Sequence, residues 1–385
     1  MALRGYASPE VNKAYTRARQ LCQQEGGIPQ LFPTLRGLWV FYLIRAELQT
    51  THELGEQLLA LAQSAQDPAL LLEAHYTLGA SLFFRGEPAR ARPHLEHCIT
   101  IYDLQQHGSH AFLYGQDPGV FAHIVAALAL WVLGYADQAL ERIHGASLLA
   151  QEVAHQFSLA GALVFLAWIH HFRREGHETL EQAQAAITLS DEQGFPFWMA
   201  WGTILRGWAL TEEEEGIAQM RQGLSSLQAT GAELVRPYIF AKLGEAYGAG
   251  GQPEEGLTSL AEALPVAYKT GEHWSEAEVY RLRGQLMLQK VQVSDPTVQA
   301  PDPQHVTPNL QAEAEAYFQK AIDIARQQQA KSWELRASTS LARLWQQQGK
   351  QREAHQMLAE IYGWFTEGFD TKDLQEAKAL LDELA

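Results

Sequence analysis

Apolar residues recur along this chain at helical spacing, in blocks that share one layout. Each block holds an apolar helix, a short turn with a glycine, and a second helix with small residues at fixed offsets. One copy reads Leu78, Gly79, Leu82, Gly86, Ala91, Leu95 and Cys98. The same offsets return as Leu341, Ala342, Trp345, Gly349, Ala354, Leu358 and Ile361. A third copy is Ala126, Ala127, Leu130, Gly134, Ala139, Ile143 and Ala146; a fourth is Leu243, Gly244, Tyr247, Gly251, Gly256, Leu260 and Ala263. Small residues let the two helices approach closely, and the large residues between them fill the remaining space. The turn glycine supplies the left-handed conformation that ends the first helix.

Extended along the chain, the pattern predicts helix pairs at 31–65, 67–104, 118–154, 157–193, 195–230, 232–270, 273–328 and 331–365. A leading helix falls at 9–24 and a closing helix at 371–384, the latter with a charged face turned to solvent. The alternation of small and large positions matches the tetratricopeptide consensus, although its first-helix tryptophan is mostly missing. Spacing nearer ~40 residues than ~34 implies longer helices or loops. The expected fold is all-α, a tetratricopeptide-type solenoid of antiparallel helix pairs coiled into a right-handed superhelix. Two stretches interrupt it. Residues 105–119 carry Gly108, Gly115, Pro118 and Gly119, and form a Gly/Pro loop and candidate hinge between N-terminal repeats (1–104) and C-terminal repeats (120–385). Residues 291–308 carry four prolines and predict a protruding, mobile loop inside one repeat.

Composition narrows the function. Among 385 residues, 29 basic against 45 acidic side chains leave a net charge of −16, with no run of Lys or Arg. A phosphate backbone needs a dense basic surface, so nucleic acid is not an expected partner. No secretory h-region opens the chain, and apolar stretches such as 120–133 fall short of the ~20 residues of a spanning helix. A cytoplasmic protein without membrane partners is expected. Cys22 and Cys98 read as separate buried thiols.

Longer segments carry a further likeness. Gly37-Leu38-Trp39, Glu53-Leu54-Gly55-Glu56-Gln57, Tyr114-Gly115-Gln116-Asp117-Pro118-Gly119, Leu133-Gly134-Tyr135-Ala136-Asp137 and Tyr362-Gly363-Trp364-Phe365-Thr366-Glu367-Gly368 mark it. They resemble the C-terminal tetratricopeptide region of bacterial fusion proteins, in which a class III nucleotide cyclase or other signalling domain precedes a STAND-type ATPase. The resemblance implies a sensor or docking module that controls an upstream ATPase or cyclase. The chain starts almost at its first repeat, so it corresponds either to an excised repeat region or to one that stands alone.

Motifs that carry chemistry are few. Gly251-Gln252-Pro253-Glu254-Glu255-Gly256-Leu257-Thr258 lacks the lysine of a phosphate loop and carries two glutamates. His94 and His97 share a helix face, but no His-Glu-x-x-His or Cys-x-x-Cys accompanies them. No Gly-x-Ser-x-Gly elbow occurs. No catalytic residue, cofactor or metal is therefore expected, and the chain reads as a non-catalytic binder of a protein or peptide. The alternative is a small-molecule receptor or enzyme with a site enclosed by the superhelix. First helices line the concave face of such a coil. The consensus offsets place Tyr76, Trp131, His170, Arg173, Trp201, Trp208, Tyr238, Arg281, Arg336 and Arg343 there as partner-binding residues, with Phe83, Ile124 and Leu128 beside them. Aromatic and Arg side chains are common anchors of binding hot spots. Arg281, Arg336 and Arg343 are expected to stand free as a cationic patch for a carboxylate or phosphate.

Overall fold

The computed structural model describes residues 11, 13–18, 28–211, 214–294 and 308–385. Its helix pairs follow the repeat pattern: α1 (Ile28–Ile44) with α2 (Leu48–Ala65), α3 (Pro68–Phe84) with α4 (Pro88–Ile101), and, after two short helices, α5 (Leu104–His107) and α6 (His110–Tyr114), α7 (Pro118–Val132) with α8 (Ala136–Val153). The stack continues through α9 (Gln156–Arg173), α10 (Gly176–Gln193), α11 (Pro196–Ala209), α12 (Glu214–Ala229), α13 (Arg236–Ala249) and α14 (Pro253–Thr270). It ends with α15 (Glu276–Ser294), α16 (Pro308–Gln327), α17 (Lys331–Gln347), α18 (Gln351–Tyr362) and α19 (Lys372–Leu384). The described residues contain no strand. No described helix is long and apolar enough to cross a membrane.

Local chemistry accounts for the boundaries. Proline occupies the first turn of α3, α4, α7, α11 and α14, where its missing N–H costs no helical bond. Asp67 and Asp117 cap α3 and α7 by accepting from Ala69 N and Val120 N. The turn glycines Gly86, Gly134, Gly251 and Gly349 all have positive φ, between 74° and 98°. A Cβ on Gly79 would sit 2.8 Å from Leu95 of the paired helix, which is why that position stays small.

Residues 105–119 differ from the open loop expected. They fold as α5 and α6, because His107, His110, Ala111 and Tyr114 turn inward and are buried, leaving Phe112 and Leu113 outside. One cluster of buried apolar side chains runs from Phe32 to Trp333 on both sides of this segment. Cys98 is a buried free thiol. Cys22, most of the leading helix and the proline-rich stretch lie outside the described residues.

The coil closes on itself. The C-terminal carbonyls of early first helices, which have no partner within their own helix, are met by residues far along the chain. Ile44 O accepts from Glu233 N and Leu234 N, Phe84 O from His273 N, Trp131 O from Ser332 Oγ, and Phe172 O from Arg336 Nη2. At the same level, Glu367 Oε1 accepts from Asp137 N and Gln138 N and so caps α8 from 230 residues away. These contacts draw later repeats across the inner face of the earlier ones.

Candidate binding cleft

The inner face is filled largely by the protein's own rings. Trp131 stacks on Phe172 with centroids 4.1 Å apart and meets Trp333 edge-on at 4.7 Å. Phe83 stacks on Trp274, and Trp168 contacts both Trp201 and Tyr238. Several of the residues expected to face a partner therefore face each other. Trp131 and Tyr238 are buried in this layer, together with Phe83, Ile124 and Leu128. Arg173, 3% exposed, is spent on Glu175, Asp137 and Asp370, and His170 Nδ1 lies 2.6 Å from Glu175. This corrects the expectation of an open groove lined by aromatic residues. Burying a ring against another ring beats leaving it in water, and the later repeats bring the second ring.

What stays open on the concave side is a polar cleft of about 280 Å³. Its walls come from the inner ends of α9, α11, α13, α15 and α17, closed at one end by α19. Four of the expected residues meet there: Trp208, Arg281, Arg336 and Arg343. Tyr76 and Trp201 belong instead to a separate apolar cavity. Trp168 and Tyr238 lie between the two spaces, for Trp168 touches Trp201 on one side while Tyr238 reaches His171 of the cleft on the other.

The arginines are not a free patch. Arg281 and Arg336 are more than nine-tenths buried, and Arg343 stands exposed at the mouth. The centre of the arrangement is Glu278, a fully buried carboxylate. It accepts from Lys242 Nζ at 2.8 Å and from Arg281 Nε at 2.6 Å, with Arg336 Nη1 at 3.6 Å. Burial alone would raise this carboxyl, but Arg281 and Lys242 outweigh it and hold Glu278 well below the usual carboxylate range. Glu245 adds a second acceptor for Lys242 and Arg281. Arg336 Nε donates to Asp373, and Arg174 and Arg343 both donate to Glu376. Burial, with Lys242 and Arg336 nearby, pushes His171 well below its ordinary value, so its ring is neutral and shares a 2.6 Å hydrogen bond with the Tyr238 hydroxyl.

Five cations (Arg174, Lys242, Arg281, Arg336, Arg343) thus face four carboxylates (Glu245, Glu278, Asp373, Glu376), leaving one positive charge in a chain of net −16. Sequence reading found the arginines and missed Lys242, Glu278, Asp373 and Glu376. A signal was present: Lys242 to Glu278 and Glu245 to Arg281 are 36 apart, and Arg336 to Asp373 is 37. That is about one helical turn short of the ~40-residue repeat, so each pair joins neighbouring helices of the inner face. The charged face of α19, expected to meet solvent, supplies Asp373 and Glu376 to this cleft.

The histidines divide similarly. His94 and His97 gather with His75 of α3, whose Nδ1 lies 3.0 Å from His94 Nδ1. Among the described residues, no group of three or more His, Cys, Asp or Glu is placed to hold a metal ion. Gly251 to Thr258 forms the turn into α14, where Gly251 takes a left-handed conformation and Gly256 packs on Leu286.

No protein-family model and no curated protein matches this chain. Solved structures do. The chain is similar at 12% identity to a protein in the crystal structure of the APC/C hetero-tetramer Cut9-Hcn1, covering 98% of this chain and 59% of that one, with a TM-score of 0.54. It is similar at 11% identity to a Rap protein complexed with Competence and Sporulation Factor, covering 91% and 96%, with a TM-score of 0.53. A STAND protein with a tetratricopeptide repeat sensor from Pyrococcus horikoshii is matched at 13% identity, over 88% of this chain and 49% of that one, with a TM-score of 0.41. The chain spans about three fifths of the Cut9-Hcn1 chain it matches. In fold, this protein is an all-α, tetratricopeptide-type solenoid of helix pairs.

Proposed function

We propose that this protein is a non-catalytic scaffold that binds a protein or peptide through the polar cleft, with acidic side chains of the partner meeting Arg174 and Arg343. The observation that carries this reading is the local charge. A concave site with one surplus cation, built from five successive first helices, lies in a chain that is otherwise strongly acidic. Arg174 and Arg343 are 39% and 50% exposed and share Glu376, with Asp373 also 3.5 Å from Arg174, and each guanidinium has further N–H groups for a partner's acid. Arg281 and Arg336 serve a different purpose in this scheme: they fix the floor.

A screen of an immobilised peptide library tests this. Acid-rich peptides are expected to be enriched, with affinity falling as salt rises. Arg174→Glu with Arg343→Glu should abolish the enrichment while circular dichroism and melting stay near those of the parent. Equal capture of basic peptides, or capture unchanged in the double variant, would overturn the proposal.

The finer form of the proposal makes the module a sensor that restrains an upstream STAND-type ATPase or nucleotide cyclase. It rests on the sequence resemblance. Nucleotide hydrolysis by such a domain, measured with and without these repeats joined to it, should rise when they are absent. A small-molecule receptor is the second reading, favoured by a cleft volume close to the ~300 Å³ lower end of ligand pockets.

A further inference from the structure

The apolar cavity beyond the ring layer measures about 60 Å³ and is walled by side chains such as Ile44, Phe84, Phe121, Trp198, Trp201 and Leu234. The loop before α13 roofs it, anchored by the Glu233 and Leu234 amides on Ile44 O. Val235, also in the roof, has φ 70°, a costly conformation for a β-branched residue. Its amide is held by Glu272, a buried carboxylate that Trp274 Nε1 also reaches.

Polar atoms interrupt the apolar wall at Tyr76, at Gln116 and at Trp198, whose Nε1 is buried without a partner. Gln116 is 5% exposed. Its Oε1 faces Arg36 Nη2 at 3.4 Å and the Tyr76 hydroxyl at 3.5 Å. Arginine is only a donor, so this contact fixes the orientation of the amide and leaves Nε2 directed elsewhere. Among the described residues, Nε2 makes no hydrogen bond. Behind it, Arg36 sits in a box of Trp39, Tyr76 and Tyr114, and its Nη1 is buried without a partner. With Gln116 Nε2 and Trp198 Nε1 in its wall, the cavity offers more donors than acceptors, and an unpaired buried donor is costly. Charge is already balanced, because Glu73 meets Arg36 at 2.8 Å. The missing group is an acceptor without a charge.

We propose that this cavity binds a compact aliphatic molecule bearing an uncharged carbonyl, whose oxygen accepts from Gln116 Nε2. The volume sets the size. At about 10–15 Å³ for each water-sized sphere, the space takes roughly four to six heavy atoms. Water fits poorly, since it needs two to four polar partners and the rest of the wall is apolar. A carboxylate would add an uncompensated charge beside the neutral Arg36–Glu73 pair. A hydrocarbon would fill the volume and leave the amide unpaired.

Butanone, propionate and 2-methylbutane have the same five-atom skeleton and separate these cases. Saturation-transfer NMR on the full chain should show saturable butanone binding in the millimolar range, at least ten-fold tighter than propionate. Gln116→Leu should weaken butanone about ten-fold and leave 2-methylbutane unchanged. Ala232→Leu, which fills the space from the roof and keeps Gln116, should remove binding of both, and it carries the test if Gln116→Leu does not fold. Propionate binding as well as butanone, butanone binding that survives Ala232→Leu, or no butanone signal on the parent protein would each overturn the proposal.

Discussion

The polar cleft and the apolar cavity lie on either side of one layer of rings, yet different forces hold them. In the cleft, charges pair across successive first helices around a carboxylate that has no contact with water. In the cavity, apolar walls are roofed by a loop that holds a strained valine in place. The difference teaches where each site is vulnerable. Ionic cores fail when one partner is removed, because the others are left buried and uncompensated. Apolar cavities fail gradually, by lost area and enlarged voids.

The largest effect is expected from Glu278→Gln, which leaves Lys242, Arg281 and Arg336 facing a neutral amide. Chemical denaturation should show a loss of about 3–5 kcal/mol. A loss below about 1 kcal/mol would mean that charge does not hold the cleft. On the cavity side, Leu234→Ala should cost about 2–4 kcal/mol, with little dependence on salt. A strong salt dependence of that loss would erase the distinction between the two sites.

pH should move the two regions in opposite directions. Glu278 has a depressed value, so its stabilisation is present above the ordinary carboxylate range near 4.5 and is lost as pH falls below it. Glu272, under the cavity roof, is pushed up to about 7 by burial, against hydrogen bonds from Val235 N and Trp274 Nε1. Its contribution is complete below pH 4.5 and is lost as pH rises through about 7, a swing of roughly 3 kcal/mol. Melting curves across pH 3–9 check both signs. Glu272→Gln should flatten the change between pH 5 and 8, and Glu278→Gln the acid limb. The smallest effect belongs to the rim. Arg343→Gln should change stability by less than about 1 kcal/mol, since its pair with Glu376 is half-exposed, while weakening capture of acidic peptides.

Much of the fold is legible in the sequence. The turn glycines, the small positions such as Gly79 and the first-turn prolines act within a single helix pair, so their reasons are local. The eight predicted pairs and the closing helix match α1–α4 and α7–α19 in order. The cleft was readable in part. Arg281, Arg336 and Arg343 were placed on one face by their repeat offsets, but their exposure was misjudged. Repeat offsets say which face a residue shares and nothing about what another turn of the coil brings against it. Tyr76, Trp131 and Tyr238 went wrong for the same reason.

By itself the sequence determined the helix pairs, their limits and the faces they share, because spacing, caps and glycines act over a few residues. It also determined the acid excess against which a cation-rich cleft stands out. The tertiary structure decided the rest: that Ile44 O would meet Glu233 N, that Trp131 would find Trp333, and that α19 would offer Asp373 to Arg336. Contacts over such separations, 230 residues in one case, depend on how tightly the coil closes. That is a sum of small rotations between successive repeats, and no single stretch of sequence encodes it.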